Sequence, residues 1–244
     1  MDPLEFRCNE CPRKPRGRYT EESVVAFLAR LEDTIIFALF ERVKFPLNPP
    51  TYDLLGGLVR ETEALQFKAH RYDNPEENPF FPESLPPVVA APKYPFPEFL
   101  QGAGASININ KEIWEMYFHE LLPKFVKCGD DGNYAQTAFA DLTLLQAISK
   151  RIHYGKFLAE ATFRFAGGVL EPYIRAKNKE TLKELTTQRL EDKVLRRVEK
   201  KVMVFGRELS QEHDFKGEVT LLYEKWLIPL TSKVGLEYLL RRLD

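Results

Sequence analysis

Cys8 and Cys11 form a C-x-x-C pair, and Cys128 is the third cysteine of the chain. A metal knuckle needs a second such pair or nearby histidines to complete four ligands, and none follows, so the pair reads as incidental. The four histidines, His70, His119, His153 and His213, stand on separate stretches with no pair at metal-ligand spacing. No G-x-x-x-x-G-K-[ST], G-x-G-x-x-G or G-x-S-x-G is present, which removes the usual phosphate-cradling and acyl-transfer signatures. Scattered residues of this kind point to no metal site.

The composition bounds the partners. Thirty-five Lys and Arg oppose 36 Asp and Glu for a net charge of -1, leaving no cationic surplus to hold a phosphate backbone, so nucleic-acid binding is not expected. No apolar run approaches the ~20 residues that span a bilayer, and no membrane association is expected. Three cysteines cannot all pair, which suits a reducing compartment; the cytoplasm is the expected location, or a plastid if a transit peptide has been removed. Hydrophobic residues at 44% and charged ones at 29% fit a globular chain.

The elements follow from spacing. Residues 1–19, with basic residues at 7, 13, 14, 16 and 18, read as a flexible leader, and 20–244 as a single all-helical domain. Thr20-Glu21-Glu22 opens a helix on Val24, Leu28, Leu31, Ile35, Leu39 and Val43 that stops at Phe45-Pro46. A second helix is expected from Gly57 to Tyr72. Residues 74–98 hold eight of the 17 prolines and read as an ordered loop anchored by Phe80, Phe81, Tyr94 and Phe96. Asn110 is expected to cap a helix to Lys127 with Trp114, Phe118, Leu121 and Phe125 inward. A long helix is expected from Tyr134 to Phe165, ended by Gly167-Gly168. Shorter helices at 169–177 and 178–186 precede longer ones at 187–206 and 217–243. No stretch alternates with period two, so the fold class is all-α, an elongated multi-helix bundle.

Four separated segments carry a resemblance. They are Glu32-Asp33-Thr34-Ile35-Ile36-Phe37; Asn78-Pro79-Phe80-Phe81-Pro82; the run Ser149-Lys150-Arg151-Ile152-His153-Tyr154-Gly155-Lys156-Phe157-Leu158-Ala159-Glu160-Ala161; and Glu237-Tyr238-Leu239-Leu240-Arg241-Arg242-Leu243-Asp244. In this order and spacing, from residue 20 to the end, the chain resembles the chorismate mutases of plants and fungi. The resemblance implies an all-helical homodimer that converts chorismate to prephenate with no cofactor. It also implies a small-molecule site buried among helices. The reaction is an intramolecular [3,3] rearrangement, so an enzyme only holds the dianion in a reactive chair and stabilises the separating charge.

The resemblance also assigns the site. The family's long-helix arginine corresponds to Arg151, its second glutamate to Glu191 and its C-terminal threonine to Thr231. Four further positions differ: Val25 stands where the family has arginine, Thr162 where it has lysine, Thr187 where it has asparagine and Gly235 where it has the ether-binding glutamate. Eleven residues of helix place Arg151 and Thr162 on one face roughly 16 Å apart, and Thr231 and Gly235 one turn apart. Losing one preorganised charge-stabilising donor commonly costs about 10²–10³ in rate. The expected function is therefore a chorismate-mutase-fold protein repurposed for a less anionic small molecule, including rearrangement or cyclisation chemistry. The alternatives are a non-catalytic homologue acting through its dimer, and a functioning cofactor-independent mutase of aromatic amino-acid biosynthesis. In the family, aromatic effectors bind near an Arg-rich helix end and a Gly-Ser pair. Here Arg71 is kept beside His70, but the pair is Ala135-Gln136, so weak control by aromatic amino acids is expected.

Overall fold

Apolar residues at three- and four-residue spacing build each helix, and capping sets where it starts. In the computed structural model, residues 19–87, 99–209 and 216–244 are described; within them the side chains of 102, 187–192, 206–209 and 216 are not. Helix α1 (Glu21–Arg42) begins at a capping box: Ser23 N–H donates to Thr20 Oγ1, and Thr20 N–H donates to Ser23 Oγ. Val24, Leu28, Leu31, Ile35 and Leu39 are all buried, as their spacing requires. Helix α2 (Thr51–Lys68) starts six residues earlier than Gly57, straight after Pro49-Pro50, whose fixed φ preorganises a first helical turn. It ends before Tyr72 because His70 turns left-handed, at φ 62°.

The proline-rich stretch is ordered where described. Buried Phe80 and half-buried Phe81 pack edge-on against Trp114, and Arg60 lies over the Phe81 ring. Tyr94 and Phe96 lie outside the described residues, as do 1–18 of the expected leader and the Cys8–Cys11 pair. Tyr19, its last residue, packs on Phe99 and Phe157 and donates its hydroxyl to Glu76.

Prolines account for the interruptions that periodicity missed. The helix expected from Asn110 to Lys127 is α3 (Asn110–Met116), a π-helical turn (Tyr117–Leu121) and α4 (Leu122–Phe125). The same sequence recurs near the C-terminus, where α8 (Lys216–Leu222) runs through a π turn (Tyr223–Leu227) into α9 (Ile228–Leu240). In both cases the π turn sits just ahead of a proline, Pro123 or Pro229. That residue has no N–H to return to the preceding turn, and the ladder absorbs the mismatch by widening. Asn110 is not the cap but the first residue of α3: its backbone N–H donates to Asn108 Oδ1, and its own amide holds the Asn78 and Pro79 carbonyls. Buried Ile113, Met116 and Tyr117 take the inward role expected of half-buried Trp114 and Phe118.

The long central helix divides at Tyr154 into α5 (Tyr134–His153) and α6 (Gly155–Arg175). The expected end at Phe165 is marked by a kink at Ala166 (φ -124°, ψ 27°), directly before Gly167-Gly168, beyond which helical geometry resumes and α6 runs on to Arg175. Helix α7 (Lys179–Leu209) is continuous where two helices, 178–186 and 187–206, were expected. Helix α5 packs along α1, and α6 lies along α9. Among the described residues there is no strand, and no helix is long and apolar enough to cross a membrane.

Helices α6 and α9 approach so closely that two glycines set the contact. A Cβ on Gly155 would overlap the Thr231 carbonyl oxygen, and one on Gly235 would sit 3.2 Å from the Gly155 carbonyl oxygen. Gly235 is thus a close-packing residue as well as a neighbour of the cavity described below. Gly155→Ala is expected to destabilise the protein by about 1–3 kcal/mol and lower its melting temperature by about 2–12 °C. Gly57→Ala, with open space around its added methyl, should cost nothing in the same calorimetric scan.

Candidate active site

The chain places a buried cation where α5 ends. Cations at a helix C-terminus are favoured by the partial negative charge there, and Lys150, Arg151 and His153 occupy the last turn of α5. Arg151 is 3% exposed. Its Nη1 donates to Thr231 Oγ1 at 3.0 Å, and Thr231 passes its own hydroxyl hydrogen to the Leu227 carbonyl at 2.6 Å. Arg151 Nε is buried with no hydrogen-bond partner among the described residues. Burial pulls the guanidinium below its ordinary pKa, opposed by the fields of Tyr223 and Glu32. At neutral pH it remains charged.

Arg151 also lines a cavity of about 180 Å³, together with Val25, Leu28, Leu158, Thr186, Val194, Ile228, Thr231 and Ser232 and, as further cations among the described residues, Lys193 and Arg197. A smaller lobe of about 50 Å³ shares Leu158, Thr186, Thr231 and Ser232 with it and adds Thr162 and Gly235. The structure thus brings together five of the seven positions read from the sequence: Val25, Arg151 and Thr231 in the first lobe, and Thr162, Thr231 and Gly235 in the second. Thr187 and Glu191 lie on α7, the helix that supplies Lys193 and Arg197, but their side chains are outside the described ones.

Lys193 and Arg197 were missed because α7 reads as a solvated helix. Arg197 is held by a bidentate pair with buried Glu32, at 2.7 and 2.5 Å, and Lys201 bonds Glu32, Asp33 and the Ala29 carbonyl. The Glu32 hydrogen bond and charge hold the Arg197 pKa up. A different and larger groove, about 540 Å³, is lined by Phe80, Phe81, Trp114, Lys111, Glu83 and Glu115. The buried Asn110 amide on its border is already spent on backbone carbonyls, so it offers no comparable unsatisfied group.

The four sequence signatures hold helices together around the cavity. Glu32 ties α1 to α7. Buried Glu160 on α6 accepts from Arg164, Tyr238 and Arg242, joining Ala159-Glu160-Ala161 to the C-terminal segment. Lys156 donates its three hydrogens to Asn78 Oδ1 and to the Ala105 and Ile107 carbonyls; burial draws its pKa down to about 8, which leaves it charged at neutral pH. His153 pairs with the Ser149 carbonyl through Nδ1 and accepts the Ile109 N–H at Nε2. Near the expected effector position, Arg71 is engaged by Glu77 and Gln146, and Ala135 and Gln136 are exposed at the start of α5.

The site is thus a small cavity among helices with a buried arginine in its wall. Comparison with known proteins gives the chain a family. Chorismate mutase 2 of Arabidopsis thaliana is 48% identical over 241 residues, covering 89% of this chain and 91% of that protein. The cytosolic chorismate mutase 2 of Zea mays is 42% identical over 237 residues, covering 89% and 93%. The crystal structure of AtCM1 with tyrosine bound in its allosteric site superposes with a TM-score of 0.86 at 43% identity, over 95% of this chain and 99% of that one. No family model matches the chain. At this identity and coverage the chain belongs to the chorismate mutase family of plants and fungi. The comparisons favour a functioning mutase over the repurposed protein expected from the substituted positions.

The His153 geometry predicts acid sensitivity. Burial first, then the Lys156 charge, depress its pKa to about 3, against 6.5 for a free imidazole. The unfolded chain therefore binds a proton below pH 6.5 that the folded chain refuses. The stability this neutral histidine contributes is complete above pH 6.5 and falls by up to about 1.4 kcal/mol per pH unit below it. Denaturant titrations at pH 7, 6 and 5 should show this slope, and His153→Gln should flatten it.

Proposed function

We propose that the chain is a cofactor-independent chorismate mutase, converting chorismate to prephenate in the two-lobed cavity at a lower rate than its relatives. The observation that carries the reading is the buried Arg151 with its unpartnered Nε, supported by 42–48% identity to chorismate mutases over about nine-tenths of the chain. Arg151 offers a desolvated positive charge to one carboxylate, and Lys193 and Arg197 supply more from α7. The apolar walls, Val25, Leu28 and Ile228, exclude water and strengthen each of these interactions. Positioning of this kind is the larger part of catalysis for a rearrangement that needs no nucleophile.

The rate limit follows from the same residues. Thr162 spends its hydroxyl hydrogen on the Leu158 carbonyl, and Gly235 has no side chain, so neither donates to a breaking ether bond. Each missing preorganised donor is worth about 10²–10³ in rate, and such losses do not simply multiply. This observation also favours a second reading: a family member that binds a less anionic compound and turns over chorismate only incidentally.

A chorismate-to-prephenate assay beside a plant enzyme separates the two. The proposal expects measurable turnover, lost in Arg151→Ala. Val25→Arg, Thr162→Lys, Thr187→Asn and Gly235→Glu together should raise the rate, while single changes do little, because one added charge faces an incomplete constellation. Absence of turnover in the unmodified protein would favour the second reading.

We also propose a cytoplasmic homodimer, a location shared with the cytosolic maize relative; other relatives are chloroplastic. Exposed Leu54 and Leu65 on α2 and Phe139 on α5, the helix α2 packs against, offer an apolar face for a second copy. With Arg71 engaged and Gln136 in place of a smaller residue, binding of aromatic amino acids should be weak. Sedimentation is expected to give a dimer at micromolar concentration, unchanged by tryptophan or tyrosine; a 28 kDa monomer would contradict the assembly.

A further inference from the structure

The side chains lining the larger lobe of the cavity are buried or half-buried among the described residues, with one exception: Lys193 is exposed. A side chain that lines a cavity and also meets solvent marks where the cavity opens. Lys193 makes no ion pair or hydrogen bond with the described residues. Positions 189, 190, 196 and 197, one turn away from it along α7, hold no carboxylate residue that could neutralise it. The other two cations of this lobe differ from it. Arg197 gives Nε and Nη2 to Glu32, and Arg151 is 3% exposed and bonded to Thr231.

An anion approaching this opening gains nothing from the chain as a whole, whose net charge is -1. On α1, Glu21 and Glu22 stand one turn before Val25, a lining residue, and repel an anion from that side. We propose that Lys193 is the capture residue of the cavity: its ammonium draws an anionic ligand out of solution to the mouth, and Arg151 retains it inside. The inference rests on the cavity being the ligand site of this mutase-family chain and adds how an anion enters it. The two cations then have separate roles. An exposed charge acts through solvent, speeds encounter and is screened by salt. A buried one acts at short range and sets how long the ligand stays.

The test is Lys193→Gln in the full chain, titrated calorimetrically with chorismate at about 20 mM and about 0.5 M sodium chloride, on either side of effective screening. At low salt the variant is expected to bind about threefold to fivefold more weakly than the unmodified protein, the effect of one exposed charge pair. At high salt the two affinities should converge. Lys193→Glu should weaken binding further, and Lys193→Arg should keep it. Lys127→Gln removes the same charge near the far end of α5, where the Lys127 carbonyl accepts the Leu47 N–H, and should leave the affinity unchanged. In a turnover assay at low salt, Lys193→Gln should raise KM more than it lowers kcat. Circular dichroism checks that each variant is folded. Undiminished low-salt binding by Lys193→Gln, a loss equally large at high salt, or an equal loss in Lys127→Gln would overturn the inference. Turnover with KM unaltered in Lys193→Gln would overturn it and leave the mutase reading standing. The expected salt pattern without turnover would uphold it and remove the mutase reading. No binding of chorismate by the unmodified protein would overturn both.

Discussion

One buried guanidinium, Arg151, is the group around which the cavity is built. Arg151 sits at the end of α5 with one hydrogen bond to Thr231 and a second donor left without a partner among the described residues. A charge removed from water costs several kcal/mol unless it is paired. On the proposed function, an anionic ligand supplies the missing partner. The surrounding elements can be understood as what keeps this one group in place. The break at Tyr154 lets α6 turn against α9, and Gly155 and Gly235 let the two helices close until Thr231 meets Arg151.

Around that contact the bundle is fastened by buried carboxylates at some distance from the cavity's centre. Glu32 secures α7 through Arg197, and so fixes one of the cavity's cations. Glu160 secures α9 through Tyr238 and Arg242, and so fixes Thr231 and Gly235. A buried pair of this kind contributes little net stability but is costly to break. Its effect is to define one arrangement of α1, α6, α7 and α9.

Much of this was legible in the chain. The 3.6-residue spacing of Val24, Leu28, Leu31, Ile35 and Leu39 gave α1, and Leu142, Leu145, Ile148 and Ile152 gave α5, because tertiary burial and helical period agree there. The π turns were not legible, since they preserve the apolar face while inserting a residue, and only Pro123 and Pro229 signalled them; the kink at Ala166 was marked by Gly167-Gly168. Arg151, Thr231, Val25, Thr162 and Gly235 were placed by family resemblance, and the structure puts them around one cavity. Lys193 and Arg197 were hidden in the charged face of α7, where a cation at a cavity wall has the same sequence surroundings as one in solvent.

The central claim, that Arg151 is kept for an anionic ligand and not for stability, is tested by Arg151→Met. Methionine matches the length of the aliphatic stem and removes the charge. Calorimetric titration with chorismate and a thermal melt, run on the same preparations, give the answer together. The account predicts that chorismate binding is lost while the melting temperature is equal to or above that of the unmodified protein. Retained binding, or loss of binding together with a lower melting temperature, would contradict it.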